Sequence, residues 1–148
     1  MLMEQFIDKI ADILNDVMSP LPKFQKTTID TCVKYSGIIS LLLGAVSLFA
    51  GLTSLNLTGV FGYVTQYILF TALFRNIFSL LEVIGSVILL YSNTTLRLLK
   101  LSGWRYSFLG ILCLTLSSLI TVNILLFLVD VSLIYIWLQI RDGFIKVN

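Results

Sequence analysis

Three ionisable side chains, Arg75, Glu82 and Asp130, stand inside long apolar stretches of this chain, and they are the groups best placed to do chemistry. A charge at the centre of a lipid-embedded helix costs ~2.5–3.5 kcal/mol on insertion scales, so such groups turn toward a bundle interior or a partner. Two carboxyls at comparable depth are one way to build a path for protons or a cation. They are equally a way to tie helices together. Ser79 and Ser86 sit three residues before and four after Glu82, on the same helical face, where their hydroxyls can donate to it. Arg75 continues that stripe and can reach toward Glu82 or toward a subunit outside the chain. No Pro or Gly pair interrupts the segments that carry Glu82 and Asp130, whereas transporter sites are often built on broken helices. Structural glue is therefore the preferred reading, and a conducting pair the alternative.

Other chemistries find little to stand on. The chain has no histidine, which removes the commonest catalytic base and metal ligand and any axial imidazole for haem or chlorophyll. It has no Gly-rich phosphate loop, no nucleophile elbow and no Cys-x-x-Cys. Cys32 and Cys113 are lone thiols, one beside the membrane and one inside a span. A net charge of +2 carries no nucleic-acid signal. The expectation is no enzyme, no metal, no cofactor and no nucleic-acid partner.

The elements that position these residues follow from hydropathy and charge. Mean hydropathy is +0.97 over 148 residues. Apart from Arg75, the Lys and Arg residues fall in three blocks: Lys9 to Lys34, Arg97 to Arg105, and Arg141 with Lys146. Basic residues collect in cytoplasmic loops, so the pattern predicts four spans with both termini inside. About 18 or more apolar residues cross ~30 Å of hydrocarbon, which places spans near 34–54, 71–91, 106–121 and 124–140. The run 106–140 would be about 50 Å long as one helix, so it is read as a hairpin turning at Thr121-Val122-Asn123. Trp104, Tyr106, Tyr91, Tyr135 and Trp137 then fall at the inner interface as an aromatic belt, with Tyr63, Tyr67 and Phe70 at the outer one. The fold class expected is an all-α four-helix integral membrane bundle of two hairpins, 27–148, preceded by an amphipathic helix over 1–19.

That first helix has apolar positions at Phe6, Ile7, Ile10, Ile13, Leu14, Val17 and Met18. Its polar face carries Glu4, Asp8, Asp12 and Asp16 against Lys9. Helices on anionic membranes usually have basic polar faces; for this one a protein partner or the protein's own cytoplasmic face is the better dock, and rest on the interface by its apolar stripe is the other possibility. Residues 1–19 lack the apolar core of a cleavable signal peptide. Ser19-Pro20-Leu21-Pro22 ends the helix, and Thr27 with Asp30 has capping-box spacing. Gly37, Ser40, Gly44, Ser47, Gly51 and Ser54 then recur every three or four residues, a seam that lets two helices approach closely. Whether it meets a neighbour in the same chain or another subunit is open. A second small stripe runs Ser107, Gly110, Ser117, Thr121. Asn56-Leu57-Thr58 and Asn93-Thr94-Thr95 match the glycosylation pattern, and Asn76 before Glu82 echoes Asn123 before Asp130, as tandem hairpins would.

Ser102-Gly103-Trp104-Arg105, Ser117-Ser118-Leu119-Ile120 and Leu138-Gln139-Ile140-Arg141-Asp142 resemble small four-helix bacterial membrane proteins with no assigned activity. The resemblance covers roughly the last fifty residues. It implies a multi-pass protein of a bacterial plasma membrane or an organelle membrane, and no substrate. The functional expectation is a small accessory or scaffold subunit, self-associating or part of a larger membrane complex, with membrane lipids and other membrane subunits as partners. The alternative is a proton or cation conductor using Glu82 and Asp130, and a lipid or pigment carrier comes third.

Overall fold

The computed structural model describes the backbone of residues 2–55, 66–121 and 123–145; the side chains of 66–75 and of Ile145 lie outside that description. Five helices account for most of it: α1 (Leu2–Met18), α2 (Lys26–Ser54), α3 (Gln66–Arg97), α4 (Leu101–Ile120) and α5 (Ile124–Ile145). No strand occurs among the described residues. Lys26–Ser54, Asn76–Arg97, Leu101–Ile120 and Ile124–Phe144 are long and apolar enough to span a bilayer. The chain is an all-α, multi-pass membrane protein with an amphipathic helix ahead of its four spans.

The helices extend beyond the expected spans. The span expected over 71–91 lies within α3, which takes in Tyr67 and Phe70 and runs to Arg97; α4 begins at Leu101 rather than 106. Hydropathy marks where side chains are apolar, whereas backbone hydrogen bonding carries a helix on through its polar flanks. Tyr63, Asn56 and Thr58 lie outside the described residues. The capping box expected at Thr27 does not form. Gln25 is the N-cap, without a side-chain bond, and Thr27 is already in the first turn, where its carbonyl accepts from Thr31 Oγ at 2.8 Å.

Two tight turns set the geometry of the bundle. Between α3 and α4, Leu99 adopts φ 54. Lys100 N donates to Thr95 O at 3.1 Å and Leu99 N to Leu96 O at 2.9 Å, the paired bonds of a left-handed helix stop that usually holds Gly. Gly103 then packs so close to α3 that a Cβ there would lie 2.6 Å from Leu96 N. Between α4 and α5, Asn123 caps the next helix, its Oδ1 accepting from Leu126 N at 3.2 Å. Asn76 lies well inside α3. The two asparagines thus do different jobs, and the tandem-hairpin echo has no counterpart in their placement.

The small-residue seam of α2 meets α3 of the same chain. A Cβ on Gly37 would come within 2.8 Å of Arg97 Cγ, one on Gly44 within 2.9 Å of Leu90 Cγ, and one on Gly51 within 2.9 Å of Val83 Cγ2. Ser40 Oγ donates to Leu89 O at 2.9 Å and lies 3.0 Å from Ser92 Oγ. Ser54, the last residue of α2, is exposed. Gly110 of α4 faces Gly85 and Leu89 of α3 in the same manner, and Gly143 of α5 rests on Val33 of α2.

Trp104 and Trp137 are not belt residues. They are at the expected level but point inward, 0% and 1% exposed. Trp104 Nε1 donates to Trp137 O at 2.8 Å, Trp137 Nε1 donates to Ser107 Oγ at 2.6 Å, and Phe108 stacks on Trp104 with ring centroids 5.1 Å apart. An indole N–H must find a partner when buried, and these two find one across the α4–α5 interface. Tyr91 and Tyr106 do lie toward the outside, edge to face at 5.8 Å. Asn93, in the second glycosylation pattern, is buried and accepts from Arg97 Nε at 3.1 Å.

The acidic helix docks on its own bundle. Ile7 and Ala11 are fully buried against the ends of α4 and α5. Arg105 of α4 grips Asp8 through Nε at 3.1 Å and Nη2 at 2.6 Å, with Glu4 at 3.4 Å. Arg141 of α5 bonds Asp12, lies 3.7 Å from Asp8, and stacks over Trp104 at 5.4 Å. Pro22 and Phe24, in the link to α2, contact Tyr135 by a hydroxyl-to-carbonyl bond and an edge-to-face pair. The beginning of the chain and the end of α5 therefore lie at the same end of the bundle.

Candidate functional site

Glu82 and Asp130 come together. They line one cavity of about 60 Å³, with Ser47 from α2 and Ser117, Ser118 and Thr121 from α4. At about 1.5 Å of rise per residue, Asp130 is roughly 16 Å along α5 from Arg141, and Glu82 roughly 22 Å along α3 from Arg97. The chamber thus sits in the half of the bundle remote from α1. Antiparallel packing explains the convergence. Ser117 Oγ donates to Phe78 O at 3.1 Å, fixing α4 against α3 one turn from Glu82, and the short link from α4 to α5 brings Asp130 back opposite Ser118.

The two carboxyls are held differently. Asp130 is buried and accepts from Ser118 Oγ at 2.7 Å. Glu82 is half-buried, and among the described residues no donor reaches its carboxylate. Ser86, expected to donate to that carboxylate, gives its hydroxyl to the Glu82 main-chain carbonyl at 2.7 Å instead. A serine four residues along a helix finds the i−4 carbonyl nearer than the side chain above it. Ser79 is buried on the same face. Arg75 lies in α3, with its side chain outside the described residues.

The size of the chamber limits its occupants. Sites for organic ligands run to ~300–1,000 Å³, whereas one water needs only ~10–15 Å³ of accessible volume. The chamber has room for a few waters or a small ion and none for a lipid or pigment. Toward α1 it is followed by large buried side chains, Leu89, Leu96, Trp104, Phe108, Ile111 and Trp137, all 0–1% exposed, with Ser40, Ser92 and Ser107 buried among them. A second cavity of about 200 Å³ lies at the α1 end, where Lys23, Gln139, Arg141 and Asp142 give it mixed charge. No cluster of three or more potential metal ligands occurs among the described residues.

Several of these residues read differently in the sequence. Ser47, Ser117 and Thr121 belong to the small stripes and were legible only as packing positions; Ser118 stood outside any stripe. Arg105 and Arg141 read as topology anchors, and nothing in their spacing revealed the acidic helix as their partner. Compared with known proteins, the chain matches no family model, no curated protein and no solved structure.

Proposed function

We propose that this chain is a small, non-catalytic integral membrane subunit that works by packing, as an accessory or scaffold component. The observation that carries this reading is where the polar groups at membrane depth go. Several of them join one helix to the next, Ser40 to Leu89 O, Ser117 to Phe78 O, Ser118 to Asp130 and Trp104 to Trp137 O, while others such as Ser86 and Thr115 bond within their own helix. Large apolar side chains separate the chamber from the α1 end, and the buried serines at their level, Ser40, Ser92 and Ser107, spend their hydroxyls on the Leu89 and Trp104 carbonyls. The α2 seam is occupied by α3, so association with other membrane subunits, or with itself, falls to outward apolar faces such as that of Val46 and Phe49. The basic blocks orient the α1 end, with both chain ends, to the cytoplasm. A bacterial plasma membrane or an organelle membrane is the setting that the resemblance implies.

Flux into liposomes loaded with a pH-sensitive dye tests this reading. The expected result is no proton movement above protein-free vesicles; pH-dependent flux that disappears in Glu82→Gln overturns it. One observation favours a second reading, proton or cation binding: the Glu82 carboxylate faces a chamber shared with Asp130 and takes no hydrogen bond from any described residue. Under that reading the chamber is a dead-end site filled from the side remote from α1, and ion-dependent stabilisation without flux is its signature.

A further inference from the structure

We propose that α1 is a lipid-inserted helix, with Leu2, Phe6, Ile13 and Val17 entering the acyl region of the leaflet at its end of the bundle. At 100° per residue the apolar positions of α1 cover about half its circumference. Only part of that arc is covered by protein. Ile7 and Ala11 are buried on α4 and α5, with Leu14 and Met18 half-buried beside them. Leu2, Phe6, Ile13 and Val17 form the neighbouring strip and stand 86%, 60%, 55% and 69% exposed. Glu4, Asp8 and Asp12 occupy the opposite flank of the docked stripe.

The arginines decide which way the strip faces. Arg105 lies in the second turn of α4 and Arg141 in the last turns of α5, so α1 crosses the spans at their charged rim, where hydrocarbon gives way to headgroups. With Ile7 and Ala11 buried on α4 and α5 and Asp8 paired to both cations, α1 presents one face to the bundle and leaves the strip outside it. A helix lying at that rim can turn one flank to water and the other to hydrocarbon. The flank carrying three carboxylates and two guanidiniums takes the water side, which turns Leu2, Phe6, Ile13 and Val17 toward the acyl chains.

The same charges set the kind of lipid contact. An interfacial helix usually gains from basic residues drawn to anionic headgroups. α1 has an acidic polar face and replaces that attraction with ion pairs to its own bundle. Its strip therefore meets acyl chains and is indifferent to headgroup charge.

The test uses the full chain with Cys32 and Cys113 replaced by Ala and one cysteine placed at Phe6, Ile13 or Val17. Gln5 and Asp16, on the water edge, are controls. Each cysteine carries an environment-sensitive fluorophore, and the protein is reconstituted in phosphatidylcholine vesicles containing lipids spin-labelled near the top of the acyl chain. Quenching several-fold stronger at 6, 13 and 17 than at 5 and 16, unchanged on adding phosphatidylglycerol, is expected. All five sites being exposed, labelling leaves the docked stripe intact. Equal, weak quenching at all five overturns the proposal. So does shielding of 6, 13 and 17 that fades as the protein is diluted in lipid, because the occupant is then a second copy. Quenching that grows with anionic lipid also overturns it, since headgroups would then hold the helix.

Discussion

Gly103→Ala and Gly143→Ala each add a methyl whose nearest neighbour would lie at 2.6 Å, and they should have different consequences. At Gly103 the new Cβ meets Leu96 N at 2.6 Å, the Thr95 carbonyl carbon at 2.7 Å and Thr95 Oγ at 2.8 Å. Carbon contacts are comfortable at ~3.5–4.0 Å, so α3 and α4 must part by roughly 1 Å. The obstacle is backbone, and the turn beside it has no slack, because Leu99 and Lys100 are held by their two bonds to Leu96 and Thr95. Overpacking costs ~1–3 kcal/mol; a site where backbone must yield belongs at the upper end, and the better helix propensity of Ala returns ~1 kcal/mol. The net expectation is a loss of about 2 kcal/mol, roughly 30-fold in the folding equilibrium. At Gly143 the 2.6 Å contact is to one methyl, Val33 Cγ2, with the other Val33 carbons at 3.7 and 3.8 Å. Val33 must give by a similar ~1 Å, but one side chain yields more cheaply than backbone and the same propensity gain offsets part of the cost, so that variant should lose clearly less than Gly103→Ala. Reversible unfolding in mixed micelles, followed by tryptophan fluorescence from Trp104 and Trp137, reads both. If Gly103→Ala is as stable as the parent, or Gly143→Ala equally damaged, the close approach of α3 and α4 at their shared turn is not what fixes that end of the bundle.

Four further outcomes follow from the same contacts. Glu82→Gln should leave both folding and the absence of proton flux unchanged, whereas Asp130→Leu, which removes the acceptor of Ser118, should cost ~1 kcal/mol in unfolding measurements. Arg105→Ala loses a partly exposed pair with Asp8 worth ~1 kcal/mol; amide exchange in α1 should quicken, more so at low salt where the parent pair is strongest, while α2 to α5 keep their protection. Gly44→Leu should separate α2 from α3 and lower folded yield, and Leu42→Ile, on an exposed position, should be silent in the same size-exclusion assay. With Cys32 and Cys113 replaced, a cysteine at Asn123 should react with an impermeant thiol reagent from outside intact cells and one at Leu98 should not; the reverse would invert the orientation.

The four spans were legible because hydropathy and basic blocks are one-dimensional signals. Each apolar run is long enough to cross, and each basic block sits at a helix end. The position of the turn at 121–123 followed from length alone. Helix ends were less visible, since Arg97 and Ser102 are as helical as their apolar neighbours. The convergence of Glu82 and Asp130 at similar depth was also readable, because depth follows from residue count. Their hydrogen bonds were not: whether Ser86 turns to a side chain or to a carbonyl depends on one rotamer. Trp104 and Trp137 show the same limit, their level along the helix being countable and their inward direction set only by α4 meeting α5. The docking of α1 joins charges about a hundred residues apart, and no local pattern encodes such a pairing.

Those distant charges also impose an order on how the protein is made. Asp12 and Arg141 are 129 positions apart and Asp8 and Arg105 are 97 apart. During synthesis α1 leaves the ribosome first and meets its first cation only when the start of α4 appears, its second only when α5 is almost complete. Until then it carries an uncovered apolar arc and unpaired acids past three nascent spans. Its pairing with Arg141 can therefore form only after α2, α3 and α4 have been made, so the helix is fastened in two steps, first at Arg105 and then at Arg141.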